Sequence, residues 1–219
     1  MNYRCLTFDC YGTLIDWKTG IEEELRATLG GAQIKSGDLM AAYVVAEKEE
    51  ESTYKRYREV LRRAVLSMSD TLEVELSASA AEKFAASVPR WPPFADSAKF
   101  LRDMGSLGYK RYILSNVDDD LLEETIRRNH LQVDGFVTAE QVGSYKPKAG
   151  HWLEFLRRSG LAKEEVLHVA QSIYHDIIPA RELGIASAWI NRYGERLPPG
   201  AEPSIISGDL AGLAAALEK

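Results

Sequence analysis

The chain has 219 residues, of which 45% are hydrophobic and 27% are charged, and its formal net charge is −6. This size and balance suit a soluble globular protein with a substantial core. The acidic charge argues against a nucleic acid or an anionic membrane surface as the main partner. No apolar run approaches membrane-spanning length. The cysteines, Cys5 and Cys10, lie together near the N-terminus, and no secretory signal pattern precedes them, so we expect a cytoplasmic protein without a disulfide framework.

The N-terminal segment predicts a buried strand that ends in a carboxylate. Residues 5–8, Cys-Leu-Thr-Phe, are mostly apolar and β-prone, and Asp9 follows them directly. Gly12 permits a sharp turn, and Thr13 adds a hydroxyl beside it. Because ligands of open parallel α/β sheets bind beyond the carboxyl ends of the strands, we expect Asp9 at the mouth of a site, as a nucleophile or a metal ligand.

The segment that follows predicts helices rather than strands. Apolar residues recur at helical spacing, and we predict helices over 21–29 (closed by Gly30 and Gly31), over one long charged stretch at 36–68, and over 77–87. The acidic run at 47–51 is interpreted as a solvated helix face.

A proline-rich segment, Pro-Arg-Trp-Pro-Pro at 89–93, cannot continue the last of these helices. It is typical of the return linker of an inserted domain. We therefore predict an all-helical domain at residues 17–92, inserted into a core made of residues 1–16 and 93–219.

From residue 94 onward, strand and helix patterns alternate along the chain. We predict strands at 110–114, 136–137, 166–170, 186–191 and 204–207, and helices at 97–107, 118–130, 149–159, 175–183 and in the tail after 207. Such alternation is typical of an α/β protein with a parallel sheet and right-handed crossovers.

Further polar residues lie where ligands of such a sheet bind. Ser115 and Asn116 follow the second core strand and can hold an anion or a carboxylate, although both could instead cap the next helix. Lys146 precedes a proline, and an ammonium beside site carboxylates offsets their repulsion and keeps a nucleophile ionised. Asp176 follows the strand at 166–170, where a simple N-cap role is the alternative.

Taken in order, these segments resemble the motifs of the haloacid dehalogenase superfamily, and the resemblance covers almost the whole chain. The first motif, Phe-Asp-Cys-Tyr-Gly-Thr-Leu at 8–14, is similar to that of the L-2-haloacid dehalogenase branch. Tyr11 stands where the superfamily's phosphatases carry a second aspartate, their general acid. The resemblance implies a Rossmann-like parallel-sheet core with an inserted helical cap, and a hydrolase that requires no cofactor.

The resemblance also implies roles for individual residues. The catalytic residues would be Asp9, Thr13, Lys146 and Asp176, and the substrate-binding residues Tyr11, Ser115, Asn116, Trp152, Ser172 and Tyr174. Asp9 would displace a leaving group, most simply halide, from C2 of a small (S)-2-haloacid, and water would hydrolyse the aspartyl ester to a 2-hydroxy acid. The expected partner is thus a small carboxylate substrate. The histidines are interpreted as structural, apart from His175, which is placed behind the site or facing the cap.

Departures from the dehalogenase pattern leave other functions open. Residues 40–44 lack the cap arginine that binds the halide in the dehalogenases, and Arg56 or Arg58, further along the chain, would have to replace it. Ile173 stands in place of an asparagine. The alternatives are a Mg²⁺-dependent phosphatase of the same fold, a ring-opening hydrolase for azetidine-2-carboxylate, and a non-catalytic protein that binds a small acid. A homodimer formed through the cap is compatible with the sequence, but no residue pattern establishes it.

Overall fold

The computed structural model describes residues 3–29 and 34–218, and within them six parallel strands form one sheet. The strands are β1 (Cys5–Phe8), β2 (Lys110–Ser115), β3 (Gly135–Thr138), β4 (Val166–Ala170), β5 (Ala186–Ile190) and β6 (Ile205–Ser207). Their order is β3-β2-β1-β4-β5-β6. Every residue of the adjacent strands β1 and β4 is buried, as expected for the centre of a sheet that is covered on both faces. The predicted α/β parallel-sheet core is confirmed.

Helices connect the strands of this core. They are α5 (Ser97–Ser106), α6 (Asp119–Arg128), α7 (Ala139–Val142), α8 (Gly150–Ser159), α9 (Ile178–Glu182) and α10 (Leu210–Leu217). The predicted helix over 175–183 is replaced by a π-helical turn, Ile173–Ile177, that runs into α9. The short helix α7 was not predicted. No helix within the described ranges has both the length and the apolar character needed to cross a membrane.

A second group of helices lies between β1 and α5 in the chain. They are α1 (Trp17–Thr28), α2 (Ser36–Glu50), α3 (Tyr57–Thr71) and α4 (Ala78–Ala85). We call residues 17–92 the helical insertion. The prediction of one long helix over 36–68 was wrong, because the chain leaves the helix at residues 51–56 and restarts at α3. Gly30 and Gly31, which were expected to close the first helix, lie outside the described residues.

The two chain segments that connect the insertion to the core run side by side. Ile15 and Pro93 form an antiparallel bridge. The Asp16 amide donates to the Pro92 carbonyl at 2.8 Å, and the Phe94 amide donates to the Leu14 carbonyl at 3.0 Å. Because this crossing lies just after β1, it anchors the insertion near the edge of the sheet where Asp9 lies.

A core carboxylate also holds the insertion from the other side. Asp118 is 1% exposed, and its two oxygens accept hydrogen bonds from the backbone amides of Tyr57 (2.8 Å) and Arg58 (3.0 Å) at the start of α3. Its side chain makes no capping bond to α6, the helix that it was expected to start. The Tyr145 hydroxyl adds a bond to the Lys55 carbonyl at 2.8 Å. The break in the predicted long helix thus creates the helix start that the core binds.

Candidate active site

Asp9 lies at the carboxyl end of the central strand β1. The chain turns sharply after it at Gly12, whose φ of +109° is a conformation that other residues rarely adopt. The turn brings Thr13 back, so that its hydroxyl donates to Asp9 Oδ2 at 2.8 Å. The same hydroxyl oxygen accepts from the Gln171 amide at 2.9 Å, which fixes its orientation. One oxygen of a nearly buried carboxylate is therefore held in place.

Lys146 joins this carboxylate to a second one. Its buried Nζ donates to Asp9 Oδ1 at 2.9 Å, to Asp176 Oδ1 at 2.7 Å and to the Leu114 carbonyl at 2.9 Å. An ammonium has three protons, so all of them have acceptors. Burial alone would lower the pKa of Lys146, but the two carboxylates outweigh it and raise that pKa, and the lysine is charged.

The two carboxylates differ in their electrostatic environment. Burial raises the pKa of Asp9, and the neighbouring Asp176 charge adds to the rise, while Lys146 opposes both. Burial also acts on Asp176, but Lys146 and the hydrogen bond from His168 overcome it and hold the pKa of Asp176 below its ordinary value. Asp176 is thus the more firmly ionised carboxylate of the pair.

His168 was not expected to contribute to the site. It is fully buried in β4, with Nε2 3.0 Å from Asp176 Oδ1 and Nδ1 2.9 Å from the Thr7 hydroxyl. Because a carboxylate only accepts hydrogen bonds, Nε2 carries the proton. The signal in the sequence is a histidine within the otherwise apolar run at 166–170. The geometry argues against the alternative that Asp176 only caps a helix. Ser172 accepts the capping hydrogen bond, which the His175 amide donates at 3.1 Å.

Ser115 and Asn116 have different hydrogen-bonding states. The Asn116 side chain accepts from the Lys146 amide at 2.7 Å and donates to the Lys146 carbonyl at 3.1 Å, so it mainly positions the lysine. The Ser115 hydroxyl is 1% exposed and has no hydrogen-bond partner among the described residues. It is the group that is free to donate to a bound ligand.

These groups surround a cavity of about 290 Å³ between the sheet and the helical insertion. The core contributes Asp9, Tyr11, Ser115, Asn116, Lys146, Gln171, Ser172, His175 and Asp176, and the insertion contributes Trp17, Ile21, Val44, Glu47, Glu51, Tyr57 and Trp91. The Tyr11 hydroxyl lies 2.9 Å from that of Thr125, and its ring meets the Trp91 ring edge-on at 5.6 Å. The cavity therefore combines a polar floor with a largely aromatic and aliphatic wall, and a molecule of a few carbon atoms fits it.

Two carboxylates of the insertion belong to this wall. Glu47 and Glu51 line the cavity, so interpreting the whole acidic run as a solvated face was wrong. Glu47 Oε1 accepts hydrogen bonds from the hydroxyls of Tyr43 (2.9 Å) and Tyr57 (2.7 Å). Helical periodicity around residues 43–51 carried this signal, because residues four apart share a face.

The arginines considered as substitutes for the family's halide ligand do not line the cavity. Arg56 pairs with Glu140 at 2.9 Å, and Arg58 pairs with Asp120 at 2.6 Å. Both ion pairs connect the insertion to the core outside the cavity. The guanidinium groups of these two arginines therefore hold the helical insertion against the core.

Two residues predicted to bind substrate lie away from the cavity wall. Trp152 is fully buried and packs edge-on against the His168 ring at 5.3 Å, because its face of α8 points into the sheet. It supports His168 from behind, and the prediction of a direct substrate contact was wrong. Tyr174 is 61% exposed at the start of the π-helical turn, and its ring packs edge-on against the His175 ring instead. His175 is the residue of this turn that faces the cavity, together with Ser172 and Asp176.

Comparison with protein families agrees with this arrangement. A model of the haloacid dehalogenase-like hydrolases matches residues 3–184, which is most of the chain. The chain belongs to this family. In this haloacid dehalogenase-like hydrolase, the match includes the strand before Asp9, the whole helical insertion and the loops that carry Lys146 and Asp176.

Individual relatives of this hydrolase have different names. An (S)-2-haloacid dehalogenase of Pseudomonas putida is 26% identical over 206 residues, covering 87% of this chain and 86% of the relative. A glyceraldehyde 3-phosphate phosphatase of Methanothermobacter thermautotrophicus is 29% identical over 150 residues, covering 68% of this chain and 65% of the relative. The structure of the L-2-haloacid dehalogenase from Xanthobacter autotrophicus with chloropropionic acid covalently bound superposes with a TM-score of 0.86 at 20% identity, covering 99% and 98% of the two chains. That structural similarity concerns the fold.

Proposed function

We propose that this hydrolase displaces a leaving group from C2 of a small 2-substituted acid, with halide as the simplest leaving group and Asp9 as the nucleophile. The observation that carries the proposal is the arrangement around Asp9: its oxygens are held by Thr13 and Lys146, and Tyr11 replaces a second acid beside it. The relatives named (S)-2-haloacid dehalogenase support the same reaction.

In the first step, an Asp9 oxygen attacks C2, the carbon–halogen bond breaks, and the halide leaves with the electron pair. This forms an ester between Asp9 and the acid. Ser115 donates to the substrate carboxylate, and Lys146 stabilises the carboxylate nucleophile before attack. The helical insertion acts as a cap that keeps bulk water out of the cavity.

In the second step, water attacks the ester carbonyl carbon of Asp9, and the bond between that carbon and the ester oxygen breaks. The 2-hydroxy acid leaves and Asp9 returns to its carboxylate form; one proton of the water goes to the leaving oxygen and the other is released to solvent. Asp176 lines the cavity, and its buried Oδ2 has no partner among the described residues, so it can accept a hydrogen bond from this water. Because the pKa of Asp176 is held low, its role is to orient the water rather than to retain its proton.

A second candidate function is a phosphatase, which the relative from Methanothermobacter thermautotrophicus favours. The residues fit a bound Mg²⁺ poorly. Lys146 Nζ already bridges Asp9 and Asp176, and among residues 3–29 and 34–218 no group of three or more acidic, histidine or cysteine side chains is placed to hold a metal. Tyr11 takes the sequence position of the phosphatases' general acid, and its hydroxyl is paired with Thr125 at 2.9 Å, so the proton donor that a phosphatase needs is missing there. We therefore favour displacement at carbon.

The deciding experiment measures halide release from chloroacetate and from each enantiomer of 2-chloropropionate, with and without added Mg²⁺. Phosphate release from p-nitrophenyl phosphate is measured in parallel. We expect metal-independent halide release, with the (S)-enantiomer preferred. Phosphate release that depends on Mg²⁺, without halide release from any acid, would replace this proposal with the phosphatase function.

Asp9→Asn tests the nucleophile directly. We expect turnover to fall by at least about a thousandfold, since the covalent step is lost. A single turnover of the unmodified enzyme in ¹⁸O-labelled water should place the label in Asp9 and leave the first product unlabelled. Label in the first product would show that water, and not Asp9, attacks the substrate.

A further inference from the structure

We propose that Glu47 and Glu51 form a subsite for a cationic nitrogen of the substrate. The substrate would then be a small zwitterion whose carboxylate lies against the sheet and whose ammonium lies against the helical insertion. This inference rests on the proposed function for the reaction at the carbon between those two groups.

The two glutamates are selected from the acidic run by the geometry of α2. Glu47 and Glu51 are four residues apart, share one helix face and line the cavity. Glu49 is exposed on another face, and Glu50 is paired with Lys55 at 3.0 Å. The cavity wall thus carries two carboxylates, whereas the other two glutamates of the run are exposed to solvent or paired with a lysine.

No described side chain supplies a cation to these carboxylates. The donors to Glu47 are the neutral hydroxyls of Tyr43 and Tyr57, and the nearby Lys55 ammonium is bonded to Glu50. Lys146 also faces the cavity, but its three protons are already used at the catalytic carboxylates and the Leu114 carbonyl. Removing unpaired charges from water is costly, so a cation supplied by the ligand would be strongly favoured there.

The opposite wall of the same cavity gives an independent sign of a polar ligand. The Ser115 hydroxyl and Asp176 Oδ2 are buried, and the residues that the structure describes give neither a hydrogen-bond partner. Buried polar atoms normally have a partner, and here a bound molecule or water would provide it. Ser115 can donate to a carboxylate, which places the acidic end of a ligand at the sheet and leaves its other end facing the glutamates.

The pKa values of both glutamates are raised, as expected for carboxylates that are buried without a cation beside them. Burial, and then the charge of Glu47, raise the pKa of Glu51 to about 8, although Lys146 and Lys55 oppose the rise. Burial likewise raises the pKa of Glu47, against the hydrogen bonds from its two tyrosines. An ammonium bound beside them would favour the ionised forms, so its binding should release protons near neutral pH.

The experiment uses calorimetric binding of unreactive acids to the whole enzyme at pH 7.5, in two buffers that differ in ionisation enthalpy. The probes are 3-aminopropionate and 4-aminobutyrate, each compared with propionate and butyrate. We expect at least one amino acid to bind about tenfold or more tightly than the analogue that lacks the amino group, as a charged hydrogen bond of about 1.5–3 kcal/mol would give, and to release protons.

Glu47→Gln and Glu51→Gln should each reduce this preference by about tenfold, and Glu51→Gln should also remove most of the proton release. Glu49→Gln, which removes the same charge from the exposed face of the same helix, is the matched control and should change nothing. Glutamine retains an acceptor for Tyr43 and Tyr57. Should Glu47→Gln still fail to fold by circular dichroism, Glu51→Gln decides, because no hydrogen bond joins the Glu51 side chain to another of the described residues.

Equal binding of the amino acids and of the acids without an amino group would overturn the subsite, and so would a preference that both glutamine variants leave intact. The proposed function is tested separately by halide release from 2-chloropropionate. Halide release without an amino preference rejects the subsite alone. An amino preference that depends on the glutamates, without halide release, supports the subsite and rejects halide as the leaving group.

Discussion

At the scale of single residues, the candidate site is built around one lysine that donates hydrogen bonds to two carboxylates. Lys146 donates to Asp9 and Asp176 with similar geometry, at 2.9 and 2.7 Å, yet only Asp176 also receives a bond from His168. This asymmetry keeps Asp176 firmly ionised and leaves Asp9 with a pKa that burial raises. A less stabilised carboxylate is the better nucleophile, so the unequal surroundings suit the two proposed roles.

Lys146→Met should reduce kcat by about 10²–10³-fold, the usual cost of losing a group that stabilises charge at the reaction centre. It should also move the acid limb of the pH–rate profile to higher pH. The ammonium lowers the pKa of Asp9, so its removal raises that pKa, and the reactive ionised form is then lost at a higher pH as the solution is acidified. The measurement is kcat/KM for halide release over the pH range in which the enzyme stays folded.

Lys148→Met is the matched control, because Lys148 is an exposed lysine two residues along the same segment. It should leave both the rate and the profile unchanged. An acid limb that stays in place in Lys146→Met, despite a slower reaction, would mean that the lysine does not set the ionisation of Asp9.

The sequence predicted the residues at the ends of strands well and those in the helical insertion poorly. Asp9, Ser115 and Asp176 come together because parallel strands bring their carboxyl ends to one edge, which follows from the strand pattern. Glu47 and Trp91 reach the same cavity only through the packing of the insertion on the core, and neither follows a recognisable motif. The error at Trp152 has the same origin, since its position in the chain did not reveal which face of α8 points into the sheet.

At the scale of secondary-structure elements, the decisive feature is the break between α2 and α3. Helical periodicity continues across residues 51–56, which is why one long helix was predicted. Asp118 explains the difference, because a buried carboxylate of the core binds the free amides of Tyr57 and Arg58 and so favours a helix start there. Such a tertiary contact, 60 or more residues away in the chain, leaves no local signal.

Asp118→Ala should lower the free energy of unfolding by about 1–2 kcal/mol, because two helix-start amides lose their buried acceptor. For a chain of this size, that corresponds to an unfolding temperature about 2–8 °C lower. Thermal unfolding followed by circular dichroism measures the change. KM should also rise, since the variant weakens the docking of the insertion that forms half of the cavity.

Asp120→Ala provides the comparison within the same helix. Asp120 also contacts the insertion, through Arg58 at 2.6 Å, but its side chain is 58% exposed. A solvent-exposed ion pair contributes little, so we expect a change within about 0.5 kcal/mol. Equal destabilisation by the two variants would contradict the special role given to the buried helix cap.

At the scale of the whole molecule, the parallel-sheet core and the helical insertion contribute different groups to the cavity. The parallel-sheet core contributes Asp9, Lys146 and Asp176 to the cavity, which carry the roles proposed above. The insertion contributes aromatic side chains and the carboxylates Glu47 and Glu51. The motifs lie in the core and the proposed ammonium subsite lies in the insertion, so the motifs alone did not predict the identity of the substrate.

The position of these carboxylates in the cavity wall should make the stability of the fold depend on pH in a predictable direction. The pKa of Glu51 is about 8 in the folded protein against an ordinary value of 4.5, so the folded state binds more protons between those values. Stability then falls as pH rises from about 4.5 to about 8. Glu51→Gln removes this cost, and with one pKa unit worth about 1.4 kcal/mol and solvent screening at a partly exposed group, we expect a gain on the order of 1 kcal/mol at pH 8. Urea unfolding at pH 5 and pH 8 measures it: the gain should be small at pH 5, and a gain of equal size at both pH values would show that the glutamate is not held against its own ionisation.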